Sequence, residues 1–236
     1  MKKFALVWMM VLAACGYACG KAAAPVKVPA PGKVAASRPS LTGLLARADK
    51  LESAGKYSQA AKSARAAIAV AKGSKLVPLI RKRLRRLALL TASARRLSEM
   101  KAALAGKPDD MAVRERIIRL CVIELDNPSL AMEFINEDID QMLRTFVPLA
   151  ARKIDRIPEA QCRELADWYA SLLKTPSRLG TVDMLRRVAT YCGRFVKLHT
   201  VVDEEHRRAA AGYADAVKRL SDIGETIEKS PSWNGL

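Results

Sequence analysis

From Leu41 to about residue 222 the apolar residues recur three and four positions apart, and alternating runs of the kind a half-buried strand needs are few. The spacing predicts a helix over 41–54, with Leu41, Leu44, Leu45, Ala48 and Leu51 on one side, ended by Gly55-Lys56. A second helix follows over 57–72, its inward side formed by Tyr57, Ala60, Ala61, Ala64, Ala67, Ile68 and Ala71. A long third helix over 76–104 carries Val77, Ile80, Leu84, Leu87, Leu90, Ala94 and Leu97, and Gly106 and Pro108 close it.

The stretch Pro108–Ala150 is the best punctuated of the chain. Asp109 and Asp110 are natural N-caps, because a carboxylate accepts free backbone N–H groups and meets the positive end of the helix dipole. The helix they start, 111–125, has two adjoining apolar sides: Val113, Ile117, Leu120 and Cys121 on one, Ile118, Val122 and Leu125 on the other. So wide an arc predicts packing against helices on two sides. Asn127 caps a short helix with Pro128 at its first position, where the missing N–H does no harm. Leu130, Ala131, Phe134 and Ile135 turn inward there. A further helix over 139–152 uses Ile139, Met142, Leu143, Phe146, Val147 and Ala150. Three more are expected: 158–174 with Cys162, Leu165, Ala166, Tyr169 and Leu172; 182–199, capped by Thr181, with Val182, Leu185, Val188, Cys192 and Phe195; and 204–222, capped by Asp203, with Ala209, Ala210, Tyr213, Val217 and Leu220. Pro176 breaks the chain between the first two, and 224–236 thins into a polar tail.

The first forty residues follow a different pattern. Lys2 and Lys3 precede an apolar run of 11 residues, Phe4–Ala14, too short to span a bilayer as a helix. It ends in Leu12-Ala13-Ala14-Cys15. This resembles the lipobox of bacterial lipoproteins, and the resemblance implies that Cys15 receives a lipid and becomes the mature N-terminus. The rival readings are cleavage after Ala18-Cys19-Gly20, releasing a soluble secreted protein, and a buried N-terminal helix of a cytosolic one. Residues 21–40 hold four prolines and no apolar face. They read as a tether reaching about 60 Å if extended at ~3.1 Å per residue. Anchoring is firm only when such a cysteine carries more than one acyl chain.

Two further resemblances concern the helical part. The segment RADKLESAGKYSQAAKSARAAIAVA resembles a tetratricopeptide unit, with Gly55-Lys56-Tyr57 at the turn and Ala60 and Ala67 at its close-packing positions. It lacks the large aromatic and the Leu-Gly pair of that unit's first helix. The run Pro108–Phe195 resembles a helical module of secreted and surface proteins of planctomycete-type bacteria, through Leu120-Cys121, Leu149-Ala150 and Leu165-Ala166-Asp167-Trp168-Tyr169. It departs at Leu125-Asp126-Asn127-Pro128, where the module carries a Lys-Gly-Asp-Trp turn. That resemblance implies fold and an exported compartment, not an activity. The expected fold class is all-α: a right-handed array of antiparallel helix pairs, either a tetratricopeptide-like solenoid or an irregular bundle, with no sheet. The expected division is 1–14 leader, 15–40 lipidated cysteine and tether, 41–106 basic hairpin plus long helix, 107–223 neutral helical module and 224–236 tail.

Charge separates the two helical parts. The chain carries +17, with aromatics at 5%. Residues 45–105 hold 15 basic and 3 acidic side chains, whereas 106–236 hold 20 and 21. The centre of the positive field is Arg81, Lys82, Arg83, Arg85 and Arg86, which predicts an anion-binding surface for phospholipid headgroups, an envelope polymer or an acidic protein. A solvated basic face is the plainer alternative. Nucleic acid is disfavoured, since no nucleic-acid fold is evident and no aromatics interleave the basic run.

Candidate chemistry is sparse. The chain has two histidines and five cysteines without CxxC or metal-like spacing. Cys121, Cys162 and Cys192 fall in apolar stripes and read as small core residues, although an exported protein permits a disulfide among these and Cys19. His199 reads as a helix-boundary residue, His206 as part of a capped helix start, Glu137-Asp138-Asp140 as a capping cluster and Trp168-Tyr169 as core. No nucleophile elbow, phosphate loop or dinucleotide fingerprint appears, and no cofactor is implied. The function expected is a non-enzymatic, lipid-anchored interaction or scaffold module that contacts the bilayer through its lipid and another envelope protein. An envelope hydrolase is the remaining alternative, and it needs carboxylates such as Glu133, Glu137 and Asp167 to converge.

Overall fold

In the computed structural model the residues described are 40–174, 177 and 179–227. The leader, Cys15, Cys19, most of the tether, Pro176 and the end of the tail lie outside them. Nine α-helices and no strand occur among the described residues, so the all-α expectation holds. The helices are α1 Leu41–Ser53, α2 Tyr57–Val70, α3 Val77–Gly106, α4 Met111–Ile123, α5 Pro128–Ala131, α6 Gln141–Ala150, α7 Glu159–Leu172, α8 Gly180–Leu198 and α9 Glu204–Asp222. Short 3₁₀ turns follow α5 and α6, at Met132–Phe134 and Ile154–Arg156.

Local chemistry explains most boundaries. The Ser40 hydroxyl accepts from Gly43 N, Asp110 from Val113 N, Asn127 from Leu130 N, Asp140 from Met142 and Leu143 N, and Asp203 from His206 N. Gly55, Gly73 and Gly224 end helices with positive φ, which glycine adopts without steric cost. Thr181 is a correction. It lies inside α8, and Ser177 does the work at that end: its Oγ accepts from Gly180 N at 3.0 Å while Thr181 Oγ1 donates to the Ser177 carbonyl.

Each helix packs mainly on its neighbours in the chain, with α8 also closing on α4. Small residues allow the close pairs. Ala60, Ala64 and Ala67 on α2 are fully buried, as is Ala48 on α1. Gly180 approaches the end of α4 so closely that a Cβ there would lie 2.1 Å from the Ile123 carbonyl oxygen. The core is continuous from Leu44 to Leu220, with Tyr169, Tyr191 and Phe195 the largest fully enclosed side chains. Phe146 stacks on Trp168 at 5.3 Å, and Trp168 meets Tyr169 edge-on. Two side chains expected inside are exposed. Met142 is 51% accessible because α6 buries the Leu143–Val147–Ala150 side. Tyr213 is 39% accessible because α9 turns Ala209, Ala216 and Leu220 inward; its ring instead covers Gly193 from outside.

Candidate functional site

The basic run of α3 begins about one turn in, so its side chains radiate around the helix. The structure spends three of them on carboxylates brought from elsewhere. Arg83 reaches Glu52 at 2.7 Å and Asp49 at 2.6 Å, both on α1. Arg86 joins Glu52 at 2.9 Å and, through its other nitrogen, Asp183 of α8 at 2.9 Å. Asp183 also meets Arg186 at 3.3 Å, and Arg186 meets Glu225 at 3.1 Å. Lys82 completes the circuit, 2.8 Å from Glu225 and donating to the Gly224 carbonyl. The result is a chain of alternating sign, Asp49–Arg83–Glu52–Arg86–Asp183–Arg186–Glu225–Lys82, whose outermost cations, Arg83 and Lys82, are adjacent residues of α3. Glu52 and Asp183 are buried, at 8% and 2% exposure. Burial alone would lower the Arg86 pKa, but Asp183 and Glu52 more than offset it and hold the guanidinium charged.

A second buried pair lies beside it. Arg187 Nε donates to Asp126 Oδ1 at 2.8 Å, its guanidinium sits 5.8 Å from the Tyr169 ring, and Nη1 faces the Tyr191 hydroxyl at 3.4 Å. Asp126 adopts φ +46°, the left-handed region that Asp tolerates better than most residues. Burial pushes the Tyr169 and Tyr191 hydroxyls up, so both stay protonated. The two clusters tie α1, α3 and the α4–α5 turn to α8. Their inner groups are matched to one another, and the end members Asp49 and Lys82 remain solvent-accessible.

The five expected anion-binding residues therefore divide. Lys82, Arg83 and Arg86 are committed to the ionic chain; Arg81 and Arg85 are exposed and have no ion pair among the described residues. Residues 53–98 contain 12 basic side chains and no acidic one. Among the described residues no ion pair reaches Lys56, Lys62, Arg65, Lys72 or Lys75 either, and all five are exposed. Cys15 lies outside the described residues.

The carboxylates expected to converge for hydrolysis do not. Glu133, Glu137 and Asp167 are all exposed and stand on separate elements: Glu133 is 3.5 Å from Lys101, Asp167 is 4.0 Å from Arg163, and Glu137 lies in the loop before α6. His199 caps the end of α8 between Glu159 (Nδ1, 2.5 Å) and Asp203 (Nε2, 3.1 Å), stacked on Phe195. Among the described residues no group of three or more His, Cys, Asp or Glu side chains is arranged to hold a metal ion. Cys121, Cys162 and Cys192 are buried free thiols, as the apolar stripes predict. Trp168 and Tyr169 are core. Among the described residues no helix is long and apolar enough to cross a membrane.

Sequence reasoning missed Glu52, Asp126, Asp183, Arg186, Arg187 and Glu225. One signal pointed to Asp183: it falls between Val182 and Leu185 on the strongly apolar side of α8, where a lone carboxylate needs a cation. No protein-family model matches the chain, and no curated protein and no solved structure shows a significant match.

Proposed function

We propose that this is an exported, lipid-anchored, non-catalytic helical domain that serves as an interaction module of a bacterial cell envelope. The observation that carries the reading is the order of the first forty residues: Lys2-Lys3, the apolar run to Ala14, Cys15 at the lipobox position, then a Pro/Ala-rich stretch leading into the first helix. Such a stretch gives a folded domain reach from its anchor, so that its surfaces can meet partners at or near the bilayer. The polar clusters at the helix junctions satisfy one another, which suits a rigid support. The reading rests on tetratricopeptide-like pairing only as far as α1 and α2, whose fully buried alanines permit close approach. Metabolic labelling with an alkyne-bearing palmitate tests it. The wild-type chain, expressed with its leader, should take up label and fractionate with membranes; Cys15→Ser should do neither. Unlabelled wild-type protein, or label persisting in the Cys15→Ser chain, would overturn it.

A second reading, binding of an anionic surface or polymer, is favoured by the uncompensated cations of α2 and α3. With Lys82, Arg83 and Arg86 occupied internally, it rests on Arg81, Arg85 and the cations that precede them.

A further inference from the structure

We infer that the tip of the α2–α3 hairpin, Val70 to Leu79, docks on an anionic phospholipid membrane. The tip combines two features that a solvated turn does not need. Val70, Leu76 and Leu79 are exposed at 53%, 41% and 62%, three branched apolar side chains within ten residues. Lys72 and Lys75 stand between them, exposed and without an ion pair among the described residues. The turn is uncovered: a Cβ built on Gly73 meets nothing within 4 Å.

The local field is unopposed. No acid occurs in residues 53–98, and the carboxylates that approach α3 from α1, α8 and Glu225 are held by Arg83, Arg86, Arg186 and Lys82. The tip lies N-terminal to that ionic chain, where α3 also presents the positive end of its dipole. Branched apolar side chains flanked by lysines match the headgroup–acyl boundary of a bilayer. The side chains enter the boundary, the lysine stems lie along it and the ammonium groups meet lipid phosphates. A nucleic acid fits less well, because residues 58–133 contain no Phe, Trp or Tyr on which bases could stack.

The contact need not be strong. It rests on the lipid-anchored reading for its biological setting. A tether from Cys15 makes the second contact intramolecular, at an effective concentration of about millimolar for a flexible linker. A weak surface then suffices to lay the domain against the membrane that holds it.

The test uses residues 16–236, which lack both leader and lipid, so that no anchor contributes. Flotation is measured with vesicles of phosphatidylcholine alone and of phosphatidylcholine mixed with phosphatidylglycerol. The unmodified chain should float with the mixed vesicles, and binding should fall as salt rises. Lys72→Gln with Lys75→Gln should weaken binding about 30-fold, from the usual contribution of a cation near an anionic surface. Leu76→Ser with Leu79→Ser should weaken it at least about tenfold by removing the apolar contact. Arg207→Gln with Arg208→Gln on α9 removes the same net charge and should change it less than about threefold. Far-UV circular dichroism checks that each variant is folded. Absence of binding to the mixed vesicles, retention of binding by either tip variant, an equal loss in the α9 variant, or capture by duplex DNA without capture by vesicles would each overturn the assignment. Failure of palmitate labelling would remove the anchor and leave this result standing, whereas failure here leaves the labelling result standing.

Discussion

Asp183→Asn is the substitution that weighs the ionic chain. Asp183 is the residue through which α8 grips α3, 97 positions away in sequence; its side chain is 2% exposed and contacts Arg86 at 2.9 Å and Arg186 at 3.3 Å. Asparagine preserves size and one acceptor oxygen but removes the charge. Stripping one partner from a buried pair costs about 3–5 kcal/mol when the other charge is left alone. Here neither arginine is left alone, since Arg86 retains Glu52 and Arg186 retains Glu225. The loss should therefore fall below that range, at about 2–3 kcal/mol. For a folded part of this size that lowers the melting temperature by about 5–10 °C. Urea unfolding should show an earlier midpoint with an unchanged slope. The cycle with Arg86→Gln should give a coupling of at least about 1 kcal/mol. A variant melting within about 1 °C of the wild type, or a coupling near zero, would refute the claim that this chain clamps α8 to α3.

Gly180→Ala should destabilise by about 2 kcal/mol or more, because the new methyl would sit 2.1 Å from a backbone oxygen and the small helix-propensity gain does not offset that overpacking; urea midpoints test it, and an unchanged midpoint would show that the α4–α8 contact is loose. His199 is held above its ordinary 6.5 chiefly by its hydrogen bond to Glu159, with Asp203 adding to it against some desolvation. Its protonated form is thus favoured by folding, a contribution fully present below about pH 6.5 and lost as pH rises through the raised value. The melting temperature should fall in the wild type as pH rises above about 6.5, and that component should vanish in His199→Gln; identical profiles would exclude it. Burial pushes the Cys121 thiol up to about 12 and Cys192 to about 11, and raises Cys162. With Cys15 and Cys19 replaced by serine, the native chain should therefore resist a thiol reagent that reacts fully in denaturant, and rapid native labelling would show that the α4 and α7–α8 cores open readily.

The helices were legible because their signals are local. Caps such as Asp110, Asn127 and Asp203 act three residues away, and the apolar stripes of α3, α4 and α8 repeat within a single turn. Thr181 misled because Ser177, four residues earlier, supplies a competing oxygen. Tyr213 misled because α9 buries the side that carries Ala209, Ala216 and Leu220, which leaves Tyr213 at the edge of that side, over Gly193 of α8. The ionic chain lay beyond this kind of reading. Its links span 31, 34 and 97 residues, and nothing in the run from Arg81 to Arg86 distinguishes an arginine that faces solvent from one that faces Asp183.

That distinction decides where an anionic partner could act. Glu52 and Asp183 cannot be buried as charges without cations, at a cost of several kcal/mol each. Arg83 and Arg86 are thus required by the fold before they are available to any ligand. The four cations and four anions of the chain cancel, so it adds no net field. Arg95, Arg96 and Lys101 are likewise paired, with Glu99, Glu124 and Glu133. The positive excess of residues 45–105 must then reside on the cations left over: those of α1 and α2, Lys56 between them, Lys72 and Lys75 at the next turn, and Arg81 and Arg85. Of these, only Lys72 and Lys75 lie between exposed Val70, Leu76 and Leu79, where charge attraction and apolar burial can act on the same surface. A run of arginines draws the eye to the second and third turns of α3, but the ion-pair geometry leaves Lys72 and Lys75, in the turn before that helix, as free charge beside exposed apolar surface.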